Sequence, residues 1–148
     1  MDEKLRDQIV SIIDDVDDMT VATVREDGFP QATTVSYVSD GLTIYFMTTA
    51  DSQKAQNIAR SDKVSLTIDP AYKSWDDIQA LSMGAIAVPV SDPGEQEKIG
   101  TLLMEKFPQA AEYEPDEPTD LAFFRIEPKV ISVLDYRKGF GHTELVEL

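Results

Sequence analysis

The sequence contains no cysteine among its 148 residues. Without thiols, neither a disulfide framework nor a thiolate metal site can form, and nothing indicates an oxidising compartment. Histidine is almost as scarce: His142 is the only one, which excludes a histidine-rich metal site. No apolar run approaches the roughly 20 residues that cross a bilayer, and the N-terminus lacks the basic start and apolar core of a signal peptide. We therefore expect a cytoplasmic protein with no membrane partner.

Positive charge is the next scarce feature. Thirteen lysines and arginines face 28 aspartates and glutamates, which gives a formal net charge of -15. Such a chain repels phosphate backbones, so nucleic acid is not an expected partner. An anionic ligand needs a local positive site, and the few basic residues become informative. Hydrophobic residues at 42% and charged residues at 28% are ordinary for a globular protein, and the length predicts one domain over residues 1–148.

Periodicity predicts a chain of strands with few helices. Apolar residues recur at helical spacing in the first segment, an N-cap residue and a proline in the first turn mark the starts of two further helices, and a period of two marks the segments rich in Thr, Val, Ile, Tyr and Phe. The predicted helices are 2–18, 52–60 and 93–107. The predicted strands are 19–25, 30–38, 42–49, 62–69, 78–90, 119–127 and 129–136. The first helix should end near the aspartates at its C-terminal end, because the helix dipole disfavours carboxylates there.

Breaks between these segments predict turns and irregularities. Asp-Gly pairs at 27–28 and 40–41 are strong hairpin signals, and Gly84 marks a bulge or a close approach within its strand. Pro128 should separate the last two strands. Residues 108–118 read as an exposed loop, and the tail from residue 137 to 148 reads as flexible.

About six antiparallel strands with flanking helices favour a mainly β fold, a closed or nearly closed β-barrel, since closure removes exposed strand edges. The pattern alone does not separate a split barrel from other small barrels or from an open α+β sheet. A metal site is one alternative for the cluster of carboxylates at Asp14, Asp15, Asp17 and Asp18. Acidic clusters without a turn-forming glycine are usually solvated faces, so we expect no metal.

One segment combines features of a phosphate site. The predicted strand 42–49 contains Met47 and Thr48 near its end, and a helix follows whose N-cap is Asp51 or Ser52. A helix N-terminus offers free N–H groups, Ser52 adds a hydroxyl and Lys54 adds a full charge to a phosphate dianion. The same pattern also suits a capped surface helix with a solvated lysine.

The segment from Phe46 to Ile58 resembles the phosphate-binding stretch of the pyridoxamine 5'-phosphate oxidase-like family, in which a strand ending in Thr leads to Ser-x-Lys. Gln79, five residues before a glycine, is similar to the family's flavin-contacting glutamine. Similarity extends from Thr20 to His142 and implies an FMN-binding split barrel that works as a homodimer. It places Thr33, Thr34, Val35 and Ser36 along the flavin ring, with Met47, Thr48, Ser52, Gln53 and Lys54 around the rest of the cofactor.

The sequence also departs from the true oxidases of that family. Gln53 stands where they have an arginine, which implies a weaker phosphate grip unless Arg60 or Lys63 contributes. The helix from Glu95 to Lys106 lacks the arginine of their second phosphate subsite. Their flavin-abutting tryptophan is replaced near Leu134, and the tail lacks their Arg-x-His pattern. We therefore expect a flavin-binding branch of the family rather than a vitamin B6 oxidase.

Two function classes remain open at this point. One is an FMN-dependent oxidoreductase that passes electrons between a reduced nicotinamide or small substrate and an acceptor. The other is a non-enzymatic flavin-binding or stress-type protein, and relatives on the fold bind a deazaflavin or haem. His142 is a weak candidate for a proton relay or haem ligand, and with Phe140 it could form a lid over the flavin. Trp75, Tyr72 and Tyr136 could stack on the ring or belong to the core.

Overall fold

A computed structural model describes residues 1–113 and 119–148. Part of the loop predicted at 108–118 therefore lies outside the described residues, and 108–113 form a short 3-10 helix. The helices are α1 Glu3–Asp15, α2 Gln53–Arg60 and α3 Pro93–Lys106. The strands are β1 Asp18–Val24, β2 Pro30–Ser36, β3 Val38–Asp40, β4 Thr43–Thr49, β5 Lys63–Ile68, β6 Gln79–Pro89, β7 Leu121–Asp135 and β8 Thr143–Glu147.

One antiparallel sheet of eight strands forms the molecule's centre. Its order is β2-β1-β5-β6-β7-β4-β3, with β8 beside β7. Core-facing residues alternate along β1, β5 and β6, which is why their sequences show a period of two. The sheet curls around this core, and Ile9 and Ile13 of α1 pack against it. The mainly β class is confirmed, and the fold is a split barrel.

The split lies between the two ends of the strand path. In the described residues β2 pairs with β1 alone, and β3 pairs with β4 alone. Tyr37 separates β2 from β3, so the single strand predicted at 30–38 is wrong. The physical reason is its side chain, which is buried and donates a hydrogen bond from its hydroxyl to the Ile13 carbonyl at 2.7 Å. The chain thereby leaves β1 and turns towards β4.

The two Asp-Gly turns and the bulge at Gly84 are confirmed. Gly28 and Gly41 have φ of 88° and 62°, the left-handed backbone that the two Asp-Gly turns require. The register of β6 against β7 shifts between Gly84 and Ala85, which confirms the predicted bulge. α1 ends with Val16 as its C-cap, as the aspartates indicated.

The C-terminal region differs from the prediction in two respects. β7 runs unbroken through Pro128, where two strands were expected. Pro128 faces Ala85 of β6 at the bulge. On the other edge of β7, β4 pairs only as far as Ile126 and β8 pairs only from Val130 onward. No ladder therefore needs the N–H that Pro128 lacks. The tail is also not free: β8 pairs with β7 from Val130 to Leu134. None of the described helices is long and apolar enough to span a membrane.

Candidate functional site

The N-terminus of α2 begins directly after β4. Ser52 is the N-cap, and its hydroxyl accepts a hydrogen bond from the Ala55 backbone N–H at 3.1 Å. The Thr48 hydroxyl donates to the Ser52 oxygen at 3.0 Å, so strand end and helix start share one polar cluster. The first turn of α2 contains no acidic residue. The first turn therefore presents positive dipole and hydroxyls, and the adjacent carboxylate is that of Asp51, one residue before the N-cap.

Lys54 lies in that first turn. Its side chain is half-buried, and within residues 1–113 and 119–148 it makes no ion pair or hydrogen bond. Burial lowers the pKa of its ammonium group, because partial loss of water disfavours the charged form. Lys106 is also half-buried, but its ammonium donates to two backbone carbonyls, whereas Lys54 lacks a partner among the described residues. An anion at the start of α2 would supply the missing partner.

A buried amide fixes α2 against the sheet. Asn57 is fully buried, and its Nδ2 donates to Thr23 Oγ1 at 3.0 Å and to Gln31 Oε1 at 3.1 Å. Its Oδ1 accepts from Gln53 Nε2 at 2.8 Å. Gln53, a predicted cofactor residue, thus belongs to this network. Sequence reasoning missed Asn57, although an asparagine between Ala55 and Ile58 on the buried face was a readable signal.

The predicted ring-contacting residues of β2 divide between its two faces. Thr33 and Val35 are directed towards the core side, and Thr34 and Ser36 towards the outside. Thr33 Oγ1 is buried and has no hydrogen-bond partner in the described part of the chain. Ser36 Oγ donates to Asp18 Oδ1 at 2.7 Å. The unpaired Thr33 hydroxyl is a polar group that a bound ligand could satisfy after a small adjustment.

A cavity of about 230 Å³ opens at the split of the barrel, and we call it the cleft. It brings together residues of β2, β3, β4 and α3. Its lining residues are Val35, Ser36, Tyr37, Val38, Tyr45, Phe46, Met47, Ile99 and Leu103. Three predicted cofactor residues, Val35, Ser36 and Met47, therefore meet in one place.

Other predicted site residues lie elsewhere. Gln79 contacts α1, because its Oε1 accepts from Gln8 Nε2 at 3.3 Å. It pairs with Asp135 at the end of β7, whereas Thr48 pairs with Ala122 near the start of that strand. One chain does not bring Gln79 to the α2 N-terminus. Arg60 donates to the Val24 carbonyl at the opposite end of α2, so it does not reinforce the N-terminal cluster.

Residues from the end of β7 to the start of β8 form a second polar group together with Gln8 of α1. Arg137 makes a bidentate ion pair with the buried Asp135, at 2.9 Å and 3.0 Å, and lowers the pKa of that carboxyl to about 2. Gln8 Nε2 donates to the same carboxylate at 2.9 Å. His142 Nε2 lies 3.0 Å from Glu144 Oε1, which fixes the predicted relay residue in the turn before β8.

Three aromatic residues lie in and beside this segment, of which Trp75 and Phe140 are exposed and Tyr136 is half-buried. Phe140 is 82% exposed, and its ring centroid lies 5.1 Å from Tyr136 and 6.5 Å from Trp75. These rings lie outside the hydrophobic core, so Trp75 is not a core residue. No group of three or more His, Asp or Glu suited to a metal ion occurs in residues 1–113 and 119–148.

Comparison with known proteins agrees with the split-barrel fold. A sequence model of the pyridoxamine 5'-phosphate oxidase family matches residues 5–135. The chain belongs to this family. No curated protein matches the sequence significantly.

Solved structures show the same fold. A conserved hypothetical protein of Mycobacterium tuberculosis is 24% identical, with a TM-score of 0.79 over 97% of this chain and 91% of its own. A candidate pyridoxamine 5'-phosphate oxidase of Listeria innocua is 23% identical, with a TM-score of 0.71 over 88% of this chain and 98% of its own. The haem storage protein of Vibrio cholerae is 18% identical, with a TM-score of 0.68 over 83% of this chain and 89% of its own.

Proposed function

We propose that the protein binds FMN, with the phosphate at the start of α2, and acts as a flavin-dependent oxidoreductase. The observation that supports this most is Lys54, a half-buried and unpaired ammonium beside a helix N-terminus in a strongly acidic chain. Thr48 and Ser52 would add hydroxyl contacts, and the free N–H groups of the first turn would complete the phosphate site. Family membership agrees with this ligand but does not distinguish it from others.

The remaining residues also suit a flavin. The unpaired Thr33 hydroxyl and the exposed backbone edge of β2 can hydrogen-bond a polar ring edge, and Val35 and Met47 offer apolar contact. Bound flavin would supply the electron transfer itself between a reduced nicotinamide or small substrate and an acceptor. This chain's residues would bind it, orient it and limit access of water.

We also propose a symmetric homodimer. The outside of the sheet has two neighbouring rows of uncharged residues that cross five strands. They are Ala32, Ala22, Ser65, Gly84 and Val130 in one row and Thr34, Thr20, Thr67, Ser82 and Ser132 in the other. We call these ten residues the outer face. A solvated sheet face in a chain with 28% charged residues is expected to contain charges, so a second copy of the chain is the natural cover.

The phosphate site is tested by replacing Lys54. Lys54→Ala should weaken FMN binding by about 1.5–3 kcal/mol, the usual contribution of a charge-assisted hydrogen bond, measured by flavin fluorescence titration. Lys73→Ala is the matched control, because it removes the same charge from an exposed lysine in the loop between β5 and β6, to which no role in binding is assigned. Equal affinities for both variants would place the phosphate elsewhere.

Turnover separates the oxidoreductase from a flavin-binding protein. Stopped-flow mixing of the FMN-loaded protein with NADPH or NADH should bleach the flavin absorbance if the chain is an enzyme for these donors. Truncation after Tyr136 is unsuitable for testing the tail, because it would remove β8. His142→Ala and Phe140→Ala leave β8 in place, and unchanged reduction rates in both would remove these residues from the mechanism.

Haem binding is the second candidate, favoured by the likeness to a haem storage protein and by the single histidine. The engagement of His142 Nε2 with Glu144 argues against a haem ligand at that nitrogen. We therefore expect that titration with haemin gives the same Soret spectrum for the unchanged protein and for His142→Ala. A Soret shift that is present in the unchanged protein and lost in His142→Ala would identify His142 as a haem ligand. Such a shift would replace the flavin proposal.

A further inference from the structure

Asn57 joins the two parts of the proposed flavin site. It lies on α2 one turn after Gln53 and Lys54, which stand in the first turn of that helix. Its Nδ2 donates at 3.1 Å to Gln31 Oε1 on β2. Gln31 shares the inner face of that strand with Thr33, whose hydroxyl is unpaired in the described part of the chain. A single side chain therefore links the helix assigned to the phosphate with the strand assigned to the ring.

The hydrogen-bonding capacity of the Asn57 amide is fully used. Its Nδ2, which carries two N–H groups, donates to Thr23 Oγ1 at 3.0 Å and to Gln31 Oε1. Its oxygen accepts from Gln53 Nε2 at 2.8 Å and from Arg60 Nη2 at 3.4 Å. Because the side chain is fully buried, losing one of these partners would leave a polar group without water. The network therefore holds Asn57 in one orientation.

Apolar packing alone does not fix how α2 sits on the sheet. The helix has eight residues, and its buried side chains besides Asn57 are those of Ala55 and Ile58. Apolar contact is non-directional, whereas hydrogen bonds have narrow limits of distance and angle. The Asn57 network therefore sets the rotation and height of α2. A bond from Lys54 to a phosphate depends on this placement, because charge-assisted hydrogen bonds form at about 2.7–2.9 Å.

We propose that Asn57 is a positioning residue that sets the location of the α2 N-terminus relative to β2, and thereby how strongly the protein prefers FMN over riboflavin, which lacks the phosphate. This rests on the proposed function, because it concerns the same flavin site. Asn57 acts through Lys54 and does not touch the flavin, since its side chain is buried between α2 and the β1–β2 hairpin. Phosphate recognition thus depends on a residue behind the helix.

The dissociation constant of riboflavin divided by that of FMN measures the phosphate contribution, and quenching of flavin fluorescence gives both constants. In Asn57→Ala this ratio should fall by on the order of ten-fold, because a misplaced α2 loses a charge-assisted hydrogen bond to the phosphate. Partial unfolding weakens both ligands by the same factor and leaves the ratio unchanged. Val146→Ala is the matched control, since it opens a cavity in the core beside β8 and should lower stability while keeping the ratio.

A double-mutant cycle with Lys54→Ala separates positioning from a general effect on the fold. If Asn57 acts through Lys54, adding Asn57→Ala to Lys54→Ala should change the ratio by less than about two-fold. Additive effects of the two substitutions on the ratio would overturn the proposal, and so would an unchanged ratio in Asn57→Ala.

Gln31→Leu is the second variant if Asn57→Ala does not fold, as judged by circular dichroism. It breaks the link from the β2 side at a half-buried position, so the ratio should again fall, and an unchanged ratio would overturn the proposal. An unchanged protein that binds FMN no more tightly than riboflavin would refute the phosphate site and the positioning role together. A strong FMN preference that Asn57→Ala retains would refute the positioning role alone.

Discussion

Asp135 shows how a single buried carboxylate couples the fold to pH. Its side chain is 2% exposed, and it accepts hydrogen bonds from Arg137 and Gln8. These partners stabilise the charged form, so the pKa of Asp135 falls from its usual 3.8 to about 2. A folded-state pKa below the unfolded one contributes stability above pH about 4, and that contribution is lost as the pH falls towards 2.

Replacing Asp135 should remove this dependence. Asp135→Asn should lower the free energy of unfolding at pH 7 by on the order of 1–2 kcal/mol, a value discounted because Arg137 is half exposed and screened by solvent. The gap between variant and unchanged protein should close between pH 4 and pH 2. Urea unfolding across that range measures it, and Asp76→Asn removes an exposed carboxylate as a control. Parallel pH profiles for Asp135→Asn and the unchanged protein would refute this account.

Residue roles were predictable from the sequence where the partner is local. Ser52 as an N-cap needs only the N–H three residues later, and the structure confirms it. Asn57 instead bonds Gln31, 26 residues away, and Gln79 bonds Gln8, 71 residues away. No motif encodes such partners, because tertiary packing brings them together. The free state of Lys54 is likewise visible only once its surroundings are known.

Elements were predicted well where one face is buried and the period is clear. β5 and β6 alternate over their whole lengths, and both were found within a residue or two at each end. β8 was missed because it is short and lies at an edge, with Val146 as its one buried residue. The continuity of β7 through Pro128 was missed because its neighbours on both sides, not its own sequence, make the proline tolerable.

β8 should matter for stability through its single inward residue. Val146→Asp should destabilise the protein by about 3 kcal/mol or more, because it places a carboxylate among core residues. Leu145→Asp is the matched control on the same strand, since Leu145 is 64% exposed and points outward. Urea denaturation midpoints report the difference. Similar midpoints for the two variants would mean that β8 does not pack as described.

The uncharged outer face is the most unusual surface of the molecule, and Gly84 lies within it. A Cβ at Gly84 would meet nothing within 4 Å, and its φ is not in the left-handed region. The single chain therefore imposes no steric need for glycine there. Close approach of a second copy would supply one.

Gly84→Arg should convert the dimer to a monomer without unfolding it. Light scattering should give twice 16.5 kDa for the unchanged protein and about 16.5 kDa for the variant at micromolar concentration. Gly100→Arg is the control, because it adds the same side chain on α3, where a Cβ also meets open space. A monomeric unchanged protein would refute the dimer, and a dimeric Gly84→Arg would place the interface on another face.

The late position of β7 in the sequence determines when the sheet can form during synthesis. It is the partner of β4 and β6 and also of β8, yet it begins at Leu121. A nascent chain that has reached residue 120 therefore holds two strands that each lack a neighbour along one edge. The sheet cannot be completed until β7 has been synthesised, so its assembly depends on contacts between residues far apart in the sequence. Until then, the unpaired edges of β4 and β6 are the surfaces that a chaperone would have to shield.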